Sequence, residues 1–130
     1  MLIPRFGPAR RHVLQRCALA TGVADKAVAL LYERIWHDPP AAALIARQQG
    51  QIRDGLLALD AAKRQAGPGF WGGARPDHGD IAAACTLRFV SEAHPALADP
   101  DRLPALAAHG VACEALPAFA AVVQTLIPPR

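Results

Sequence analysis

Between Pro8 and Ile35, apolar side chains return at Val13, Leu14, Cys17, Ala20, Ala24, Ala27, Val28 and Leu31, at spacings of one, three and four residues. Such spacings lay one stripe along a helix of 3.6 residues per turn. The pattern predicts a long first helix. Pro8 suits its first turn, where a missing N–H costs nothing, and the stop is predicted before His37-Asp38-Pro39-Pro40. Gly22 lies inside at a propensity cost of roughly 1 kcal/mol relative to Ala; it is read as a bend or a close approach by another backbone. A second long helix is predicted over 41–66, with Ile45, Ile52, Leu56 and Leu59 as its seam and Gln48, Gln49, Arg53, Lys63 and Arg64 mainly on other faces. Gly67-Pro68-Gly69 ends it. Two long helices joined by a short Pro-Pro turn are expected to pack antiparallel.

A loop over 67–76 carries Phe70, Trp71, Gly72 and Gly73, and then Asp77-His78-Gly79-Asp80 opens the apolar run Ile81-Ala82-Ala83-Ala84-Cys85. Asp77 is placed to cap the orphan N–H groups of a first helical turn, and Asp80, three residues on, can reach back to the cap's own N–H. A third helix is predicted over 78–93. Its sides are nearly all apolar, so it is expected to be central and buried. Shorter helices are predicted over 101–113, entered by Pro100 and Pro104, and over 117–126, started by Pro117 and terminated by Pro128-Pro129. The expectation is an all-α helical bundle of about five helices, forming one domain over 8–127 after a short lead at 1–7.

Composition agrees with that class. Of 130 residues 52% are hydrophobic, many of them Ala, with one Tyr, two Trp and four Phe. β-Branched runs bounded by turn signals are missing. The net charge of +3 is mild, and the densest basic stretch, Arg5, Arg10, Arg11 and Arg16, has no interleaved aromatics to stack bases. No nucleic-acid partner is expected. Charged or polar residues interrupt every apolar stretch long enough to span a bilayer, so no membrane partner is expected either. Cys17, Cys85 and Cys113 are odd in number and far apart in apolar helical contexts, which reads as reduced, buried thiols in a cytoplasmic protein.

Few residues invite a chemical role. Cys17 stands four residues before Thr21 on one helix, but no Lys or His is clearly aimed to activate it, so a small core residue is the better reading. The five histidines, His12, His37, His78, His94 and His109, could form a metal site with a cysteine, but no pair is read at a ligand spacing of three or four residues on one helix. They read as surface or capping groups, and no metal site is expected. The carboxylates Asp77 and Asp80 could form an acid/base couple, but their place at a helix start makes them caps. Phe70 and Trp71 read as a loop anchor ahead of a ligand platform, and Tyr32 as a rim residue. No catalytic residue is assigned.

Taken in order, Arg11-His12-Val13-Leu14 with Ala18-Leu19-Ala20-Thr21-Gly22, Tyr32-Glu33, Ala46-Arg47-Gln48-Gln49, Gly79-Asp80-Ile81-Ala82-Ala83-Ala84-Cys85 with Leu87-Arg88-Phe89, and Leu116-Pro117-Ala118-Phe119 resemble the C-terminal helical domain of soluble glutathione transferases. The family commonly has Ser or Thr at the cap and a buried Asp at the third position. Here Asp77 replaces the hydroxyl residue, Asp80 keeps the structural role, and His109, Ala112 and Leu116 stand where the family often has an aromatic and arginines. The resemblance implies a co-substrate groove along the first helix, with Cys17, Thr21, Ala24 and Val28 as its candidates. It also implies a thioredoxin-like domain that binds glutathione and activates its thiol. The stretch before Pro8 cannot hold one. The expectation is therefore a stand-alone helical module that is not catalytic alone and has no cofactor of its own, glutathione entering only with a thioredoxin-like partner chain. A homodimer through the first two helices is expected to cover Leu14, Cys17 and Thr21. The alternative is the helical half of an active transferase conjugating glutathione to apolar electrophiles, its thiol-binding domain truncated or on another chain.

Overall fold

The computed structural model describes residues 1–129. Its helices are α1 (Gly7–Trp36), α2 (Ala42–Ala66), α3 (His78–Ala93), α4 (Pro104–Glu114) and α5 (Pro117–Ala120), with a 3-10 turn at Pro95–Leu97 between α3 and α4. Among the described residues there is no strand, only an isolated bridge between Phe70 and Gly73. The fold is all-α, as expected.

The hairpin of α1 and α2 is closed by a buried carboxylate. Glu33 accepts from the Ala41 N–H at 2.8 Å and pairs with His37 Nδ1 at 2.7 Å, so the end of α1 caps the entry to α2. The accepted N–H, followed by the His37 pair, holds Glu33 below the usual carboxylate range against the opposing effect of burial. Further along the hairpin, Val23 faces Gly55: a Cβ at Gly55 would stand 2.3 Å from Val23 Cγ2. The close approach of helices therefore falls at Gly55. Gly22, expected to mark a bend or such an approach, points into open space inside an unbroken helix.

Helix α3 runs parallel to α1, since Arg16, Ala20 and Ala27 meet Asp77, Thr86 and His94 in that order. Thr86 Oγ1 donates to the Ala20 carbonyl at 3.1 Å, and His94 Nε2 lies 2.8 Å from the Ala27 carbonyl. Between the helices sits the core: Ala20, Val23, Ala27 and Leu30 of α1, Ile52, Leu56 and Leu59 of α2, and Ala83, Leu87 and Val90 of α3. Leu97, Leu103 and Leu106 close it from below. Helix α3 is central, packed against α1, α4 and the 3-10 turn, with only His78, Cys85 and Ser91 exposed along it. Cys85 is exposed and Cys17 half-buried, so of the three thiols expected to be buried only Cys113 is.

Two departures lie toward the C-terminus. Helix α4 starts at Pro104 rather than near Asp101, because residues 98–103 form a turn in which the Arg102 and Leu103 N–H groups both donate to the Asp99 carbonyl. Its N-cap, Leu103, has no polar side chain; the missing acceptor comes from α2, where buried Asp60 Oδ1 takes the Leu106 N–H at 2.9 Å. Helix α5 ends at Ala120 rather than near Leu126. Beyond it the chain turns back over α3, and the Leu126 N–H donates to Glu92 Oε2.

Candidate functional site

The first turn of α3 organises the polar interior. Asp77 Oδ1 accepts from the Asp80 N–H at 3.0 Å and Asp80 Oδ2 from the Asp77 N–H at 2.8 Å, closing a capping box. Asp80 is fully buried, and it also accepts from the Trp71 N–H at 2.8 Å and the Gly72 N–H at 3.0 Å. One carboxylate thus caps a helix and ties down the loop before it. Gly72 is required there, because a Cβ would stand 2.3 Å from the Arg75 carbonyl. Arg16 pairs with Asp77 at 2.8 Å, joining α1 to the same turn. Trp71 lies under two cations, the Arg16 guanidinium 5.1 Å and Lys63 Nζ 5.3 Å from its ring centroid. Its other neighbour is the His109 ring at 4.9 Å. Trp71 is packed into the core as a loop anchor.

Two histidines expected as surface or capping groups are buried: His94 and His109 are 2% and 3% exposed, and His94 is the C-cap of α3. His109 Nε2 stands 3.3 Å from Asp80 Oδ1 and 3.6 Å from Cys113 Sγ, four residues on along α4. A pair at ligand spacing on one helix therefore exists, contrary to expectation. Still, among the described residues no three His, Cys, Asp or Glu side chains could hold an ion together. Burial pushes the His109 pKa down, with Lys63 adding to that effect and the Asp80 charge opposing it. Burial lowers His94 as well, opposed by the Ala27 carbonyl and helped by Arg34.

A stability profile follows from these two shifts. The unfolded chain takes up a proton on each imidazole below the ordinary value of 6.5, whereas the folded chain resists doing so. Stability is therefore fully present above pH 6.5 and falls on acidification, by up to about 1.4 kcal/mol per pH unit for each histidine. Urea midpoints measured between pH 5 and 8 should decline below 6.5, well above the range where Glu33 protonates. A flat profile from pH 7 to 5 would contradict the buried neutral state of both rings.

The four groove candidates lie on one flank of α1, offset from its buried stripe. Cys17 and Ala24 are half-buried, Thr21 and Val28 are exposed, and Thr21 Oγ1 is spent on the Cys17 carbonyl at 2.9 Å. Leu14 and Val28, each 40% exposed, are its apolar ends. Burial disfavours the thiolate at all three cysteines. Burial and then the Asp77 charge raise Cys17; burial and then Glu114 raise Cys85; burial pushes Cys113 up to about 12.

The larger cavities lie elsewhere. One of about 500 Å³ opens between α3 and the returning chain, lined by Cys85, Phe89, Phe119, Val123 and Leu126 among others. A second, of about 430 Å³, lies between α3 and α4 and shares Arg88, Glu92 and Glu114 with it. A shallow groove of about 460 Å³ runs along the first turns of α1 past Arg10, Arg11 and Leu14. Cys17, Thr21, Ala24 and Val28 line none of these three. Sequence reasoning did not single out the Arg88–Glu92 pair, although an i, i+4 spacing of opposite charges was there to be read.

Fold and site together define an all-α domain in which a helix locked by a double-aspartate cap runs beside a long first helix and leaves that helix's outer flank free. Residues 42–109 match the family model of the glutathione S-transferase C-terminal domain. The chain belongs to the glutathione S-transferase family. It is similar to a glutathione S-transferase from Methylobacterium radiotolerans, solved with glutathione sulfonate, at 29% identity and a TM-score of 0.84, covering 99% of this chain and 60% of that one. A family member from Pseudomonas fluorescens Pf-5, solved with S-(propanoic acid)-glutathione, matches at 29% identity and a TM-score of 0.83 over 96% of this chain and 63% of its own. The enzyme from Methylobacillus flagellatus, with glutathione bound, matches at 26% identity and 0.84 over 95% and 61%. This chain thus spans about 60% of the length of these relatives. No curated protein matches it. No helix among the described residues is long and apolar enough to cross a membrane.

Proposed function

We propose that this chain is a helical binding and dimerisation module of the glutathione transferase type, cytoplasmic and not catalytic alone. The observation that carries this reading is the outer flank of α1, which stays apolar and open with Leu14 and Val28 each 40% exposed and the Thr21 hydroxyl turned to its own helix. A catalytic thiol needs its pKa depressed by neighbouring positive charge or a helix N-terminus; here burial and carboxylates push the other way. Glutathione chemistry then enters only with a thioredoxin-like domain, whose thiol would meet apolar electrophiles beside Cys17, Thr21, Ala24 and Val28.

Leu14 and Val28 on α1, with Leu44 and Leu57 on α2 at 41% and 49% exposure, supply the apolar area for a two-fold contact between copies. Sedimentation at micromolar concentration should give a dimer, and Leu14→Glu should weaken it by about tenfold or more. A monomeric wild-type chain would remove the dimer. Turnover of a chromogenic aryl halide with glutathione by the pure chain would remove the non-catalytic reading. A second reading, the helical half of an active transferase, draws on the solved relatives that extend well beyond the matched region. It requires that adding a separately produced thioredoxin-like domain restore that turnover.

A further inference from the structure

We infer that the cavity between α3 and the returning C-terminal chain is a binding site for a small apolar amine, a ligand with an aromatic or aliphatic body and one ammonium group. The body is specified by the walls. Ala84, Phe89, Phe119, Val122, Val123 and Leu126 enclose about 500 Å³, a volume in the range of small-molecule sites.

The charge is specified by an ion-pair chain across the cavity wall. Arg88 holds Glu92 Oε1 at 2.7 Å and Glu114 Oε1 at 3.1 Å. Two carboxylates thus share one guanidinium, and the wall keeps a net charge of −1. Glu92 spends its second oxygen on the Leu126 N–H, whereas Glu114 commits only Oε1 among the described residues and is 40% exposed. Glu114 is the acceptor left for an ammonium, and an anionic ligand of the same shape meets an unbalanced carboxylate. The ligand would also brace the returning segment, because Phe119 and Leu126 line the site together with α3.

Cys85 reports on occupancy. It lines this cavity and is exposed, whereas Cys113 is buried and Cys17 lies on α1. The test uses two probes of equal shape and opposite charge, 2-naphthylmethylammonium and 2-naphthoate, in competition with maleimide labelling of Cys85 read by peptide mass. The ammonium should slow labelling of Cys85 saturably and leave Cys17 unchanged; the carboxylate should not protect. Glu114→Gln should weaken protection by the ammonium about threefold to fivefold, the size of a partly solvated charge contact. Equal protection by both probes would overturn the charge assignment, and no protection by either would overturn the site. Both of these results are read on the wild-type chain, so they hold whatever the variant does to the fold.

Discussion

Asp80→Ala is expected to lower stability by on the order of 5 kcal/mol, enough to bring a domain at the low end of the usual stability range to its unfolding midpoint at 25 °C. The buried carboxylate accepts from three backbone N–H groups, those of Trp71, Gly72 and Asp77. A buried donor left without a partner costs about 1–3 kcal/mol, and a domain of this size has only about 5–15 kcal/mol in all. Three donors freed at once therefore consume a large share of the total. The damage spreads, because Trp71 and Gly72 belong to the loop that seats Trp71 between Arg16, Lys63 and His109. Asp80→Asn is expected to be nearly as harmful. Oδ2 takes two of the donors and Oδ1 the third, so an amide must aim its NH₂ at one of them. Asp77→Ser, which keeps a cap acceptor and loses the Arg16 pair, should cost only about 1 kcal/mol. Urea unfolding followed by tryptophan fluorescence reads the series. A loss under about 1 kcal/mol for Asp80→Ala would show that water satisfies the freed donors and that the box does not lock the fold.

How legible each element was in the sequence depends on how local its cause is. The start of α3 needs only an acceptor at Asp77 and an acid three residues later, followed by an apolar run, and its bounds were readable to the residue. The hairpin of α1 and α2 was readable for the same reason: period, proline and glycine act within a few residues. Where the deciding partner is distant in sequence, the reading failed. Gly55 rather than Gly22 is the close approach, because Val23 faces it from another helix. Residues 121–126 looked helical after Pro117, yet Glu92, more than thirty positions earlier, takes the Leu126 N–H and draws this segment across α3. The burial of His94 and His109 was not readable, because nothing in their neighbourhoods announces the Ala27 carbonyl or the Asp80 carboxylate. The candidate groove was legible as a helix flank. That Thr21 spends its hydroxyl on its own helix and that a cavity of about 500 Å³ lies on α3 required the packing.

The same distinction sets the expected result for Asp60→Ala, a loss of about 2–3 kcal/mol from a residue whose sequence context shows only an i, i+4 pair with Arg64. Arg64 is 66% exposed, and a pair of that kind is worth at most about 1 kcal/mol. The larger effect comes from the other oxygen. Leu106 lies in the first turn of α4, where N–H groups have no intrahelical partner, and Leu103 at the cap offers no acceptor. Asp60 Oδ1, fully buried on α2, supplies it at 2.9 Å and so fastens α4 to the hairpin. Asp60→Asn keeps an oxygen for Leu106 while discarding the charge, and should cost well under half of the alanine change. Hydrogen exchange sharpens the test, since protection should fall first at Leu106 and through α4 while the α1–α2 pairing stays protected. If Asn proves as damaging as Ala, the carboxylate charge and not the borrowed cap is what Asp60 contributes.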